Sequence, residues 1–316
     1  MKIAILDAGT LGDDVSLSER FGKLGKTVIY SATAPEETAS RITDAEVVVV
    51  NKVKLNGDNL GSAKKLKLIC VAATGYDNID IEYCRANGIT VCNVVGYSTD
   101  SVAQTTVATV LELTTHIRAF SEYVKDGSYT ASGVANKVTP VYRELAGKTW
   151  GVVGLGNIGK KVAAVADAFG CRVIANKRTP EAGYECVDLE TLCRMSDIIS
   201  IHTPLTPETR GLIGEREIAL MKDGVILYNA ARGAVTDEKA VADAVKSGKL
   251  GALGCDVYSF EPLAKTHPYF EIKGFDNVCL TPHMAWGSYE ARNRCVEEMI
   301  ENIKAFYSGN KRNALC

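Results

Sequence analysis

Short apolar runs alternate with helical patterns along this chain, in two successive series. In the first series, runs that fit buried β-strands are separated by helical or turn-rich segments. The candidate strands of this series are Lys2–Leu6, Thr27–Tyr30, Glu46–Val50, Leu66–Ala72 and Ile89–Cys92. The candidate strands of the second series are Thr149–Val153, Arg172–Ala175, Ile198–Ile201, Gly224–Tyr228, Leu250–Cys255 and Asn277–Leu280. Continuous apolar strands that alternate with helices are typical of parallel sheets covered on both faces. The pattern predicts an α/β protein.

Helical patterns connect the two series and close the chain. A long one without Gly or Pro runs from Asp100 to Asp126, and the polar, turn-rich stretch Gly127–Pro140 after it has the composition of an extended arm. The apolar side of the long helix comprises Val102, Ala103, Val107, Val110, Leu111, Leu113 and Ile117. Further helices are predicted at Leu189–Met195, Glu215–Met221, Asp237–Ser247 and Ser288–Tyr307.

A glycine motif opens the second series. The run Thr149–Val153 leads directly into Gly154-Leu155-Gly156-Asn157-Ile158-Gly159, and a helical pattern follows. This strand–loop–helix order is what a dinucleotide-binding turn requires. Gly154 permits the tight turn, Gly156 lets the backbone approach a pyrophosphate, and Gly159 lets helix and strand pack closely. The positive end of the helix would then face the phosphates. The alternative is an ordinary tight turn between strand and helix.

Composition narrows the class of protein. With 316 residues the chain is long enough for two domains, and a net charge of −2 favours neither nucleic acid nor an acidic membrane as a partner. The N-terminal run ends at Asp7 and fits a first strand better than a signal peptide. Ten cysteines without a C-x-x-C pair indicate reduced thiols, not a disulfide or zinc framework. These features predict a cytoplasmic enzyme with no metal and no membrane partner.

Several ordered motifs resemble one enzyme family. They are VAATGYDNID (71–80), NVVGYSTDSVAQ (93–104), GLGNIG (154–159), IHTPLTPETRGLI (201–213), NAARGAVTDEKA (229–240), DVYSFEP (256–262) and TPHMAWGSYEAR (281–292). Together they resemble the D-isomer-specific 2-hydroxyacid dehydrogenases, with the strongest similarity to the glycerate dehydrogenase or hydroxypyruvate reductase branch. The resemblance runs from about Val47 to the C-terminus. The first 45 residues match only in pattern.

The resemblance implies a fold of two doubly wound parallel-sheet domains with a cleft between them. Residues 1–98 plus 289–316 would form a flavodoxin-like substrate-binding domain, and residues 99–288 a Rossmann domain that binds NAD(P). Hinges are expected near Gly96–Asp100 and Gly287–Ser288. The cleft agrees with the general rule that ligands of open α/β sheets bind beyond the carboxyl ends of the strands.

Reducing a 2-keto acid requires a cation for the carboxylate, a proton donor for the carbonyl oxygen and a group that keeps the donor protonated. Arg232 follows a candidate strand and offers a bidentate fork for a carboxylate. His283 follows another candidate strand, and imidazole is a reversible proton donor near neutral pH. Glu261 would pair with His283 and orient the ring. The catalytic Arg, Glu and His of the family map onto these positions. Taken singly, each could instead be an ordinary loop residue.

The resemblance also implies binding residues for substrate and cofactor. Backbone N–H groups of Thr74-Gly75 would bind the substrate carboxylate beside Arg232 and His283, and Lys52 matches a basic position of the glycerate-type branch. The alternative for Thr74-Gly75 is a turn needed only for folding, and the alternative for Lys52 is a solvated surface lysine. The implied cofactor-binding residues are Gly154, Gly156, Asn157, Ile158, Gly159, Lys177, Arg178, Thr203, Pro204, Thr209, Ala230, Ala231 and Asp256.

One departure from the family pattern concerns the cofactor. NAD-preferring members carry an Asp after the second strand of the nucleotide domain, whereas this chain has Lys177, Arg178 and Thr179 there. These side chains could bind a 2′-phosphate, which an Asp would repel. NADP(H) is therefore favoured, and NAD(H) stays possible if the basic side chains face solvent.

The predicted function is reduction of a small 2-keto acid, of the hydroxypyruvate or glyoxylate type, to the D-2-hydroxy acid. The alternatives are a related dehydrogenase for 3-phosphoglycerate or a bulkier 2-keto acid, and a dinucleotide-sensing protein similar to the corepressors of this fold. A homodimer is also expected, because in the family the region after Asp100 packs against its copy. A helix covered entirely by its own chain is the alternative.

Overall fold

The computed structural model describes all 316 residues and divides into two compact units. The first unit is Met1–Ser98 with Trp286–Cys316, and the second is Thr99–Ala285. The second unit thus ends three residues before the boundary expected from the resemblance. None of the helices combines the length and the hydrophobicity that a membrane span requires.

The first unit is built on a five-stranded parallel sheet of order β2-β1-β3-β4-β5. Its strands are β1 (Lys2–Ile5), β2 (Lys26–Ile29), β3 (Val47–Val50), β4 (Leu68–Val71) and β5 (Thr90–Cys92). The connecting helices are α1 (Leu17–Gly22), α2 (Pro35–Ile42), α3 (Gly57–Leu60) and α4 (Ile81–Ala86). This strand order is the flavodoxin-like one. The central strands β3 and β4 are buried throughout because helices cover both faces.

The second unit begins with three helices that carry no strand between them: α5 (Thr99–Thr115), α6 (Ile117–Lys125) and α7 (Ser128–Ser132). The single helix expected from Asp100 to Asp126 is therefore wrong. It breaks at His116, whose backbone is left-handed with φ of 53°. The break separates two environments, because the apolar side of α5 is buried against α8 (Asn157–Ala168), whereas α6 has no buried residue. The expected arm likewise contains the short helix α7.

The remainder of the second unit is a seven-stranded parallel sheet of order β12-β11-β10-β9-β6-β7-β8. Its strands are β6 (Thr149–Val153), β7 (Arg172–Asn176), β8 (Glu185–Cys186), β9 (Ile198–Ile201), β10 (Val225–Asn229), β11 (Leu250–Cys255) and β12 (Val278–Leu280). Besides α8, its helices are α9 (Leu189–Met195), α10 (Glu215–Leu220), α11 (Glu238–Ser247) and α12 (Pro268–Ile272). The order is that of a Rossmann fold extended by one strand.

Two doubly wound parallel sheets confirm the predicted fold class. The chain closes with α13 (Tyr289–Tyr307), which belongs to the first unit and packs its apolar side on that unit's sheet. Most strand ends lie within one or two residues of their expected places. Strand β8 was not predicted, because two residues with one half-buried side chain leave no periodic signal. All ten cysteines are free thiols, and seven of them are buried.

Candidate active site

Three neighbouring strands of the second unit end close to the three predicted catalytic residues. Arg232 follows β10, Glu261 lies on the loop after β11, and His283 follows β12. These strands are adjacent and parallel, so their carboxyl ends share one edge of the sheet. That edge is where open α/β sheets place their reactive groups.

Glu261 and His283 form a direct pair. The Nδ1 atom of His283 lies 2.7 Å from Oε2 of Glu261, and the two side chains are 20% and 29% exposed. The other carboxylate oxygen of Glu261 accepts the backbone N–H of Tyr258 at 3.1 Å. Because Nδ1 contacts the carboxylate, Nε2 is the ring nitrogen that could transfer a proton to a substrate. This arrangement suits a proton donor of fixed orientation.

Asp256 holds the backbone that carries His283. It is 1% exposed, and its carboxylate accepts the hydroxyl of Thr281 and the N–H groups of Met284 and Ala285 at 2.6 to 2.9 Å. Burial raises the pKa of Asp256. His283 itself has a left-handed backbone, with φ of 52°. These contacts of Asp256 fix the His283 loop, and its expected part in cofactor binding stays a prediction.

Arg232 is positioned by two residues that the sequence reasoning did not single out. Asn229, at the end of β10, accepts the N–H of Ala231 at 2.9 Å and donates to the carbonyl of Arg232 at 3.0 Å. A side-chain carbon at Gly233 would lie 2.2 Å from the backbone of Tyr258 and Ser259. Glycine is therefore required for the Arg232 loop to pack against the loop that carries Glu261. An Asn that ends a strand before Ala-Ala-Arg-Gly is the signal that could have revealed this support.

The first unit holds its predicted substrate-binding loops through their backbones. Buried Asp7, which follows β1, accepts the N–H groups of Asn51, Lys52 and Val53 after β3. The side chain of Asn78 donates to the carbonyls of Asn51 and Val53, at 3.3 and 2.9 Å. The Lys52 loop is thereby attached both to β1 and to the loop that begins after β4.

Thr74 is anchored at two points. Its hydroxyl donates to the carbonyl of Val94, and its carbonyl accepts the side-chain amide of Asn93, each at 2.8 Å. Asn302 on α13 donates in turn to the carbonyl of Asn93. These contacts fix the turn at Thr74-Gly75. They engage oxygen atoms of Thr74, so the turn's function as an N–H donor stays a prediction.

The glycine motif of the second unit has the geometry that a pyrophosphate requires. Gly154 has φ of 95°, and a side-chain carbon there would lie 2.7 Å from the backbone of His202 and Thr203. At Gly159 such a carbon would lie 2.2 Å from the Gly154 carbonyl, whereas around Gly156 the protein leaves open space. Gly156 is also the N-cap of α8 and provides no side-chain cap. The first N–H groups of α8, including those of Asn157 and Ile158, therefore present a positive helix end.

His202 adjoins this turn and was missed as a feature of the site. Both ring nitrogens are buried and make no hydrogen bond with the protein. Burial lowers the pKa of His202 to about 3, so the ring is neutral. Unpaired buried polar atoms are uncommon in folded proteins, and they cluster where a function requires them. The open glycine turn and this imidazole together fit a bound dinucleotide.

Known proteins resemble this chain over most of its length. A family model for the D-isomer specific 2-hydroxyacid dehydrogenase, NAD binding domain, matches residues 107–285. A glycerate dehydrogenase from Methylorubrum extorquens is 37% identical over 288 residues, which cover 90% of each chain. The chain belongs to this family. A hydroxypyruvate reductase from Blautia hydrogenotrophica is 33% identical over 323 residues, covering 100% of this chain and 99% of that protein.

A solved structure supports the same assignment. The D-lactate dehydrogenase from Aquifex aeolicus, complexed with NAD and lactic acid, superposes with a TM-score of 0.86 at 32% identity. The match covers 98% of this chain and 96% of the other. This D-2-hydroxyacid dehydrogenase is therefore an oxidoreductase that acts on the CH-OH group and uses a nicotinamide dinucleotide. The predicted family and enzyme class are confirmed.

The remaining predicted cofactor residues lie on loops at the same sheet edge but differ in their contacts. Thr203 and Pro204 follow β9, and the hydroxyl of Thr209 donates to the Pro204 carbonyl at 2.7 Å. Thr209 therefore stabilises this loop. Ala230 and Ala231 follow β10, and Asn229 engages the N–H of Ala231. No group of three or more side chains suited to metal binding is present.

Lys177 and Arg178 directly follow β7, as expected, but Lys177 is paired. The carboxylate of Glu181 bonds the ammonium groups of both Lys177 and Lys160. Both hydrogen bonds lower the pKa of Glu181, and the one from Lys160 has the larger effect. Sequence reasoning found no acid at the expected position and missed Glu181, four residues after Lys177. A carboxylate is thus bonded to Lys177, one of the two basic side chains expected to bind a 2′-phosphate.

Proposed function

We propose that this dehydrogenase reduces a small 2-keto acid of the hydroxypyruvate or glyoxylate type to the corresponding D-2-hydroxy acid. The observation that carries the proposal is the 2.7 Å contact between Glu261 and His283 on adjacent strand-end loops. The names of its relatives, glycerate dehydrogenase and hydroxypyruvate reductase, support the substrate class. A C2 or C3 keto acid also has a single carboxylate, for which the proposed cation Arg232 suffices.

In the proposed reaction His283 supplies the proton. NAD(P)H, when bound, supplies the hydride that adds to the carbonyl carbon. The C=O π electrons move to the oxygen, which takes the proton from Nε2 of His283. Glu261 stabilises the imidazolium before transfer and keeps Nδ1 protonated throughout. In the reverse direction, neutral His283 accepts the hydroxyl proton.

Arg232 is proposed to hold the substrate carboxylate through its planar fork, which fixes the carbonyl relative to His283. The packing of Gly233 against Tyr258 and Ser259 supports this role, because it ties the Arg232 loop to the loop that carries Glu261. Lys52 and the N–H groups of Thr74-Gly75 are proposed as further carboxylate ligands. The rigid attachment of both loops within the first unit supports this assignment.

We further propose that NADP(H) is the favoured cofactor and that NAD(H) is also used. Lys177 and Arg178 directly follow β7, the second strand of the nucleotide fold, where the adenosine ribose is expected, and a 2′-phosphate would form charge-assisted hydrogen bonds with them. Glu181 opposes this preference, because its carboxylate must release Lys177 before the phosphate can bind. The preference for NADPH is therefore expected to be moderate.

A homodimer and a cytoplasmic location complete the proposal. Apolar side chains of the segment from α6 to residue 142 are largely exposed: Ile117 by 62%, Val124 by 57%, Val138 by 71% and Val141 by 68%. Several exposed apolar side chains within one segment are typical of a surface that packs against another subunit. Light scattering at micromolar concentration should give the mass of a dimer, and a monomer mass would contradict it. Ten free cysteines are consistent with a reducing compartment.

The function is tested by following NAD(P)H absorbance with purified protein and a panel of hydroxypyruvate, glyoxylate, pyruvate and bulkier 2-keto acids. We expect the highest kcat/KM with hydroxypyruvate or glyoxylate. His283→Ala should lower kcat by about 10²–10⁴-fold, the usual contribution of a positioned acid. His116→Asn is the control, since His116 lies at the α5–α6 break, outside the predicted site, and asparagine tolerates its left-handed backbone. Full turnover by His283→Ala would refute the assignment.

A further inference from the structure

A buried pair, Glu238 and His267, lies beside the loop that carries Glu261. Their side chains are 10% and 6% exposed, and Oε2 of Glu238 is 2.9 Å from Nε2 of His267. Glu238 is the first residue of α11, whereas His267 is the N-cap of α12. Acidic side chains are rarely so buried without a specific partner. Neither residue belongs to the proposed catalytic trio.

The tautomer of His267 follows from its contacts. Its Nδ1 accepts the backbone N–H of Tyr269 at 3.1 Å, so Nδ1 carries no proton. Nε2 must then be the protonated nitrogen, and it donates to Glu238. The ring is further packed edge-on between Tyr258 and Tyr269, with centroids at 5.8 and 5.0 Å. The orientation of the Glu238 carboxylate is thereby fixed from the α12 side.

The second oxygen of Glu238 reaches the loop of Glu261. Oε1 accepts the backbone N–H of Ser259 at 2.9 Å, two residues before Glu261. The adjacent N–H, that of Tyr258, donates to Glu261 itself, and the Tyr258 hydroxyl donates to the Thr281 carbonyl close to His283. The carboxylate of Glu238 therefore fixes the short backbone segment that orients Glu261.

We propose that Glu238 is a positioning residue for proton transfer, with His267 as its support. It acts through Ser259 and Tyr258 on Glu261, and hence on the orientation and protonation of His283. This inference rests on the proposed function of the Glu261–His283 pair. The neighbouring Cys255, Tyr258 and Tyr269 all have a pKa raised by burial, so they stay neutral in the working pH range.

The test compares Glu238→Ala, Glu261→Gln and the double variant in steady-state reduction of hydroxypyruvate. Glu238→Ala should lower kcat/KM roughly 10–100-fold, the range found when outer partners of site residues are removed. If Glu238 acts through Glu261, the double variant should lose no more than Glu261→Gln alone. The alkaline limb of the pH profile should also move toward acid in Glu238→Ala.

Two further variants separate positioning from simple stability. Asp237→Ala removes the N-cap of the same helix, which accepts the N–H groups of Lys239 and Ala240, but it leaves the Glu261 loop intact. It should lower thermal stability with an unchanged pH profile. His267→Asn keeps an N-cap acceptor for Tyr269 and removes the Nε2 donor, so it offers a second route if Glu238→Ala does not fold.

Multiplicative losses in the double variant, or an unchanged pH profile in both Glu238→Ala and His267→Asn, would overturn the inference. Full activity of Glu261→Gln would instead refute the proposed catalytic pair. The two failures are thus distinguishable.

Discussion

Two sets of loops are compared by position and by support. The loops of the first unit are proposed to bind substrate, and those of the second unit to transfer the proton. Their positions in the two sheets are alike, but they are stabilised differently. Both sets lie at the carboxyl ends of adjacent parallel strands. In the second unit, the proton donor has a side-chain partner: Glu261 pairs with His283, while Asp256 bonds the Thr281 hydroxyl and two backbone N–H groups of the His283 loop. In the first unit, a single buried carboxylate, Asp7, accepts three consecutive backbone N–H groups.

The difference has a chemical reason. Proton transfer requires one nitrogen in one orientation, and a carboxylate partner specifies the orientation and also stabilises the charged form of the ring. Holding a carboxylate requires several donors at fixed positions, which a rigid backbone can provide. Changes at the proton-transfer loops of the second unit should therefore act mainly on kcat, and changes at the carboxylate-binding loops of the first mainly on KM. Arg232 is the exception, because it serves both binding and orientation.

The largest effect is expected at Arg232. Arg232→Ala should lower kcat/KM for hydroxypyruvate by about 10²–10⁴-fold, since two charge-assisted hydrogen bonds of about 1.5–3 kcal/mol each are lost. Steady-state kinetics over a range of keto-acid concentrations measure this. Arg194→Ala, at a surface arginine paired with Glu190, is the control. A change of less than tenfold would exclude Arg232 as the main carboxylate ligand.

Cofactor choice should change by a smaller factor. Lys177→Asp should lower kcat/KM for NADPH by about 10–100-fold and reverse the preference, since one charge-assisted contact is worth about 1.5–3 kcal/mol. Glu181→Gln should raise kcat/KM for NADPH a few-fold. In this variant Lys177 and Lys160 have no carboxylate partner, so no ion pair has to break before the phosphate binds. NADH kinetics are the internal reference. Better use of NADH than of NADPH by the unmodified enzyme would show that the basic pair does not bind the ribose phosphate.

Asp7 tests the first unit in the same way. In Asp7→Asn one acceptor oxygen is replaced by an amide that faces N–H donors, so the Lys52 loop should become less ordered. We expect KM for the keto acid to rise roughly tenfold, in line with about 1–3 kcal/mol for an unsatisfied buried group, while kcat changes less. Asp44→Asn, at a solvent-exposed acid of the same unit, is the control. A fall in kcat at constant KM would remove the contrast between the two units.

His202 should have its measurable effect on stability. Its pKa is lowered by burial from 6.5 to about 3, so below pH 6.5 the unfolded chain binds a proton that the folded chain does not. The free energy of unfolding therefore falls as the pH decreases through this window. From pH 6.5 to about pH 5 the wild type should lose about 2 kcal/mol more than His202→Leu, at about 1.4 kcal/mol per pH unit. Denaturant unfolding at both pH values measures this, and parallel losses would contradict it.

Sequence patterns predicted much of this molecule because parallel sheets bury whole strands. Strands β6, β9 and β11 have the bounds that their apolar runs predicted. The break at His116 could not be predicted, since α6 has a helical pattern as regular as that of α5 and only tertiary packing separates them.

The site was predictable to the level of loops and residue types. Motif order placed Arg232, Glu261 and His283 after adjacent strands, and the structure pairs the last two. Asp7 and Glu238 contact residues that lie far away in the chain, and Asn229 bonds backbone groups close to it in the chain. Contacts of these two kinds leave no periodic pattern in the sequence. Glu181 was missed because the expected acid was sought at one position only, whereas its carboxylate reaches Lys177 across the loop that follows β7.

The pH profile of Glu261→Gln tests the central claim most directly. The claim is that the carboxylate of Glu261 stabilises the imidazolium of His283, which gives its proton to the substrate oxygen. Removing that charge should move the alkaline limb of kcat/KM for hydroxypyruvate reduction toward acid, because the imidazolium then lacks its carboxylate partner. The same alkaline limb in Glu261→Gln and in wild type would contradict it.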